Sequence, residues 1–163
     1  MTETILWHYT TGQNLVSIFQ DGLVRPATAG VPRTEKPIVW FSANQYWEQT
    51  ASKMARMADG SFKCLSMQET GIHGKGLARI GVDRASAPYG WEELGKLSGM
   101  SRRTIQGLER AAVRNRAKPQ EWFGAFDPIP KSKWVAVEYF KDGEWTPLPL
   151  RKVMVPATEQ ERA

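Results

Sequence analysis

Apolar and polar positions change period several times along the chain. Residues 4–9, Thr4-Ile5-Leu6-Trp7-His8-Tyr9, read as a short strand. Leu15, Ile18 and Phe19 then fall at helical spacing, with Thr10 or Thr11 placed to cap the helix and Gly22 to stop it in a left-handed conformation. The stretch 24–37 holds prolines at 26, 32 and 37 and reads as an exposed loop. Residues 37–42 read as a second strand. Ser42 and Gln45 have capping-box spacing, and Trp47, Ala51 and Met54 would mark one face of a helix that ends by Gly60.

Residues 57–76 have no clear period and read as loop, whereas Leu77-Ala78-Arg79-Ile80-Gly81-Val82 reads as a strand. Residues 91–117 carry the strongest helical pattern, broken at Ser98-Gly99-Met100-Ser101 into a short helix and a longer one. On the longer helix Ile105, Leu108 and Ala112 share one face, and Arg103, Arg110, Arg114 and Lys118 project from the other. The last third returns to strands at 122–126 and 134–140, and Asp142-Gly143 between two β-rich runs predicts a hairpin. One α+β domain over residues 1–156 with a frayed polar tail at 157–163 accounts for the pattern.

Composition narrows the classes. A chain of 163 residues with 41% hydrophobic content is long enough to bury its own core, and its single cysteine, Cys64, makes no internal disulfide. With only His8 and His73 beside that thiol, no zinc cluster is expected. No apolar run approaches the roughly 20 residues of a membrane span, and the start lacks a signal-peptide pattern, so a cytoplasmic protein without a membrane partner is expected. Cys64 beside Lys63 reads as an inert thiol rather than an activated one, since no histidine is paired with it.

The net charge of +5 is unevenly placed: residues 61–118 carry 11 basic and 5 acidic side chains, while the segments before and after are nearly balanced. A localised positive field suits an anionic partner, whether a nucleic acid, an acidic protein surface or a nucleotide pyrophosphate. A solvated basic face with no specific partner would carry the same charge.

The order Leu6-Trp7-His8-Tyr9-Thr10-Thr11, a helix ending in Asp21-Gly22-Leu23, a proline-rich loop and Val39-Trp40-Phe41-Ser42 resembles the N-terminal half of the ADP-ribosyltransferase fold, including its poly(ADP-ribose) polymerase-like and RNA 2′-phosphotransferase-like branches. The resemblance covers roughly residues 4–52. It implies a split β-sheet with flanking helices and NAD as substrate. It places His8 on a ribose hydroxyl and Trp40, where a tyrosine is usual, beside the nicotinamide, with Glu138 completing the triad. Family members often have glycine where Tyr9 stands. Ser42 and Asn44 would follow on the cofactor's lip with Tyr9 and Thr10 as further contacts, Tyr46 or Trp47 would give a second stacking surface, and Arg79 would hold the pyrophosphate. A fixed carboxylate would stabilise the oxocarbenium-like sugar left by departing nicotinamide, and an aromatic face would support the cationic ring. Glu138 could equally be a solvent-facing strand residue, and Trp40 a core residue.

A second pattern points elsewhere. Residues 91–110 resemble a helix-turn-helix of the phage-repressor kind, with Gly95 as the small residue of the first helix, Gly99 in the turn, and Leu94, Met100, Ile105 and Leu108 as the apolar lock. That likeness places Ser101, Arg102, Arg103, Thr104 and Gln106 at the start of a recognition helix, and Arg102, Arg103, Arg110 and Arg114 are the candidate nucleic-acid contacts along it. Two rivals to a transferase therefore stand: a DNA-binding regulator, and a catalytically silent member of the same fold that binds a nucleotide or a protein.

Overall fold

A computed structural model describes residues 3–149 of the chain; the expected tail at 157–163 lies outside the described residues. Strand β1 (Leu6–Thr11) leads directly into helix α1 (Gly12–Asp21). Thr11 is the cap, its hydroxyl accepting from the Asn14 N–H, and Gly22 ends the helix at φ +70°. A two-residue strand, β2 (Leu23–Val24), precedes the proline-rich loop, which crosses itself once at the Ala27–Ile38 bridge before β3 (Val39–Ser42).

The helix expected to open at Ser42 does not form. Ser42 turns its hydroxyl inward onto Glu48 at 2.7 Å, and the Gln45 amide reaches the Ile5 and Ala43 carbonyls, so neither side chain caps a helix. The Asn44 side chain instead accepts from the Tyr46 and Trp47 N–H groups, folding the segment into a loop with a single 3-10 turn at Gln49–Ala51. Met54 falls on β4 (Met54–Arg56), which pairs with β5 (Phe62–Cys64) in a surface hairpin. Part of the stretch read as loop is helix α2 (Met67–His73), opened by a true capping box between Ser66 and Glu69.

Strand β6 (Leu77–Val82) is buried at every residue. It is followed by β7 (Tyr89–Gly90), α3 (Trp91–Leu97) and α4 (Arg102–Asn115), the two helices separated where the sequence predicts, with Gly99 at φ +77° in the turn. Strands β8 (Trp122–Ala125), β9 (Ile129–Pro130), β10 (Trp134–Lys141) and β11 (Glu144–Pro147) complete the chain. Asp142 and Gly143 sit at φ +52° and +81°. Two successive left-handed residues are what a tight hairpin turn with the twist of its strands requires.

Seven strands form one sheet in the order β11-β10-β6-β1-β3-β8-β7, giving an α+β architecture. The ladder is uneven. β1 pairs with β6 through six registered residues and β3 with β8 through four, but β1 meets β3 through one pair, Trp7 opposite Ser42. The sheet is thus two halves joined at a narrow hinge of backbone bonding.

Residues directly opposite in a ladder share a face. Leu6, Val39, Phe41, Ile80, Val82 and Val137 form the core on one side, with Leu15, Ile18 and Phe19 of α1 packed over it. Ile80 and Val82 are fully buried, each contributing roughly 1.5–3 kcal/mol. The other side carries a smaller core of Trp7, Tyr9, Trp47 and Leu77, covered by the 43–51 loop and the start of α2. Among the described residues no helix is long and apolar enough to cross a membrane, and no three His, Cys, Asp or Glu side chains group as a metal site.

Candidate functional site

His8 stands at the narrow junction. Its Nδ1 lies 2.8 Å from the Trp40 carbonyl of β3, so the imidazole bridges the two half-sheets where the backbone ladder gives out. A carbonyl only accepts, so Nδ1 carries the proton. Burial pushes the imidazole below its ordinary value of 6.5, outweighing the Trp40 bond, which acts the other way; the charge of Lys53 adds to the lowering. The neutral ring therefore has one tautomer, with a lone pair on Nε2 that no described residue engages. The ring is half-buried beside Phe41, 5.8 Å between centroids.

The opposite face holds a different assembly. Arg79 pairs with Tyr9 on β1 and with Glu138 on β10, so all three project to one side. The guanidinium meets the Glu138 carboxylate at 3.0 and 3.3 Å and donates to the Gln45 carbonyl at 2.6 Å and the Tyr9 hydroxyl at 3.3 Å. Trp7 and Trp145 sandwich it at 3.8 and 4.5 Å from their ring centroids. Its Nε is buried without a partner. The Tyr9 hydroxyl donates to the Asn44 carbonyl, and burial raises its pKa to about 12 against the opposing pull of Arg79. Trp145 in turn donates to the Tyr46 carbonyl at 2.7 Å, tying the β10–β11 hairpin to the same loop.

This arrangement corrects several expectations. His8 lies opposite Ile80, and Ile80 opposite Val137; Tyr9 lies opposite Arg79, and Arg79 opposite Glu138. His8 and Glu138 thus point to opposite faces of the sheet and do not form a triad. Trp40 is on the Glu138 side, but three strand spacings away, about 14 Å. Its ring sits in an aromatic cluster 6.3 Å from Trp91 and 6.1 Å from Trp122. Arg79 is not open to a pyrophosphate, because its charge is neutralised by Glu138 inside the fold. Glu138 in turn is neither a free cleft carboxylate nor a solvent-facing residue.

The proposed lip residues are drawn inward as well. Trp47 is buried edge-on against Tyr9 at 5.2 Å, Thr10 is buried on the His8 side, and the Ser42 hydroxyl and Asn44 amide are engaged by their own loop. Sequence reasoning missed Glu48, a buried carboxylate that accepts from Ser42 Oγ, Thr50 N–H and Oγ1, and Trp122 Nε1. It closes the 43–50 loop onto β8 using neutral donors alone, and no motif around it in the sequence marks that role.

On α3 and α4 the expected packing is present. A Cβ on Gly95 would meet Ile105 Cδ1 at 3.4 Å, so the small residue lets the two helices approach. Arg102, Arg103, Arg110 and Arg114 are all exposed. A hollow of about 990 Å³ opens between these helices, lined by Trp91, Met100, Ile105, Ala112, Val113 and Pro119.

No family model matches the chain, and no curated protein or solved structure shows significant similarity to it.

Proposed function

We propose that the chain is an ADP-ribosyltransferase-like domain that binds NAD at the junction of β1 and β3 without using Glu138 as a catalytic group. The observation that carries this reading is the His8 imidazole, neutral and pinned through Nδ1 to the Trp40 carbonyl. Its free Nε2 lone pair suits a ribose hydroxyl, which donates in the plane of the ring. The division of the sheet at the same place supports it. Of the alternatives, the silent binder fits best. Cleaving the nicotinamide–ribose bond calls for a carboxylate beside the developing sugar cation, whereas Glu138 is paired with Arg79 on the other face.

Titration calorimetry with NAD tests the reading. Saturable binding is expected in the wild type. His8→Asn keeps a donor to the Trp40 carbonyl but withdraws the ring lone pair, and should weaken binding at least tenfold. Absence of binding at millimolar NAD would refute the proposal. Nicotinamide release that is lost in a folded Glu138→Gln variant would restore the transferase reading.

A further inference from the structure

We propose that the outward arc of α4 is a duplex-DNA-binding surface that seats in the major groove, independently of any nucleotide bound near His8. At 100° per residue, Arg102, Arg103, Arg110 and Arg114 fall within an arc of about 120°, shared with Gln106 and Val113. The buried Ala112 lies on the far side, with half-buried Ile105 and Leu108. Among the described residues none of the four arginines lies within salt-bridge distance of a carboxylate. Glu109, the one acid of α4, lies about 20° beyond Arg102 at the edge of the arc and accepts from Trp91 Nε1 at 3.0 Å. The arc itself holds four cations and no acid.

Gly107 supplies a second, independent observation. It sits in the middle of α4, about 20° beyond Arg114 at the edge of the arc, where glycine weakens a helix relative to alanine, yet a Cβ there would meet nothing nearer than Arg110 Nη2 at 4.0 Å. Packing within the chain gives no reason for it. A partner that must approach the helix closely does. Val113 is 79% exposed within the arc itself and offers an apolar contact of the kind made with a thymine methyl group.

The helix is also held rigidly for such a task. The buried Glu35 carboxylate accepts from the Ser101 N–H at 3.3 Å and the Thr104 hydroxyl at 2.8 Å, and the Lys36 N–H bonds the Ser98 carbonyl, so the loop before β3 braces the α3–α4 turn. A helix of 14 residues is about 21 Å long and, with its side chains, about 10–12 Å across. Those dimensions suit the wide groove of B-form DNA and not the deep, narrow major groove of duplex RNA.

The test is fluorescence anisotropy of a labelled 25-base-pair mixed-sequence DNA duplex, with duplex RNA of the same sequence as competitor. Micromolar binding at low salt is expected, falling about a hundredfold between 50 and 200 mM salt if four phosphates are neutralised. Replacing all four arginines by alanine should remove the salt-dependent binding. Gly107→Leu should keep or raise thermal stability and still weaken binding at least tenfold. No binding at 50 mM salt, an arginine variant that binds like the wild type, an unaffected Gly107→Leu variant, or equal competition by duplex RNA would each overturn the proposal.

Discussion

Arg79 and Glu138, 59 residues apart in sequence, meet across adjacent strands with side chains only 8% and 13% exposed. A pair so placed is coupled to its surroundings more strongly than a surface bridge, and removing one partner strands a charge that water cannot reach. Glu138→Gln is expected to destabilise the protein by about 3 kcal/mol, and Arg79→Met by a similar amount. The double variant Arg79→Met/Glu138→Leu should recover much of the loss, because neither charge remains. Urea unfolding of the three variants checks this. A Glu138→Gln variant as stable as the wild type would show that the carboxylate does not hold Arg79 in place.

The same cluster fixes the behaviour of Tyr9. Its phenol is raised from 10.0 to about 12, chiefly because burial disfavours the phenolate. A folded-state pKa above the unfolded one means the protonated form is favoured by folding, so this contribution is complete below pH 10 and is lost as the pH climbs toward 12. Tyrosinate absorbance measured during alkaline titration should show a component near pH 12 that Tyr9→Phe removes. Its persistence in Tyr9→Phe would assign it to another tyrosine.

Much of the fold was legible because local chemistry and burial agree. Thr11 and Gly22 bound α1, Asp142-Gly143 turn the hairpin, and Gly99 breaks the helical run, each through a backbone requirement that a few residues satisfy alone. The 42–53 segment departs from its helical pattern for the opposite reason. Its helical spacing is genuine, but Ser42, Asn44, Gln45, Trp47 and Glu48 are committed to partners on β1, β8 and the loop itself, which sequence spacing does not reveal. α2 leaves little periodicity in the sequence, because it is seven residues long with a glycine and one buried side chain. At the site, residue types were easier to foresee than faces. His8 and Tyr9 are neighbours in sequence and therefore opposite in the sheet, so a cleft drawing on both cannot form from a regular strand.

Gly124 tests whether the second half-sheet tolerates any added volume. A Cβ there would come within 2.7 Å of Ile38 Cγ2 and 2.8 Å of the Val39 carbonyl oxygen, with Leu94 Cδ2 at 3.2 Å. The backbone oxygen cannot rotate away, so β3 and β8 must separate. Gly124→Ala should cost about 1–3 kcal/mol of stability, seen as a lowered urea midpoint with an unchanged slope. A neutral effect would mean that this pair of strands is more loosely packed than the distances imply.

His8 is held neutral by burial, with a folded-state pKa below 6.5. The unfolded chain then binds more protons than the native one as the pH drops, and stability from this residue is complete above pH 6.5 and is lost as the pH falls through that value toward the lower folded-state pKa. Protonation would also occupy Nε2, removing the lone pair that NAD binding requires, so affinity should decline in the acid range around the folded-state pKa. His8→Asn retains a donor to the Trp40 carbonyl but has nothing to titrate. Its urea midpoint should therefore change less than that of the wild type between pH 7 and pH 5. Identical pH profiles for the two proteins would locate the acid sensitivity elsewhere and remove the argument for a neutral His8.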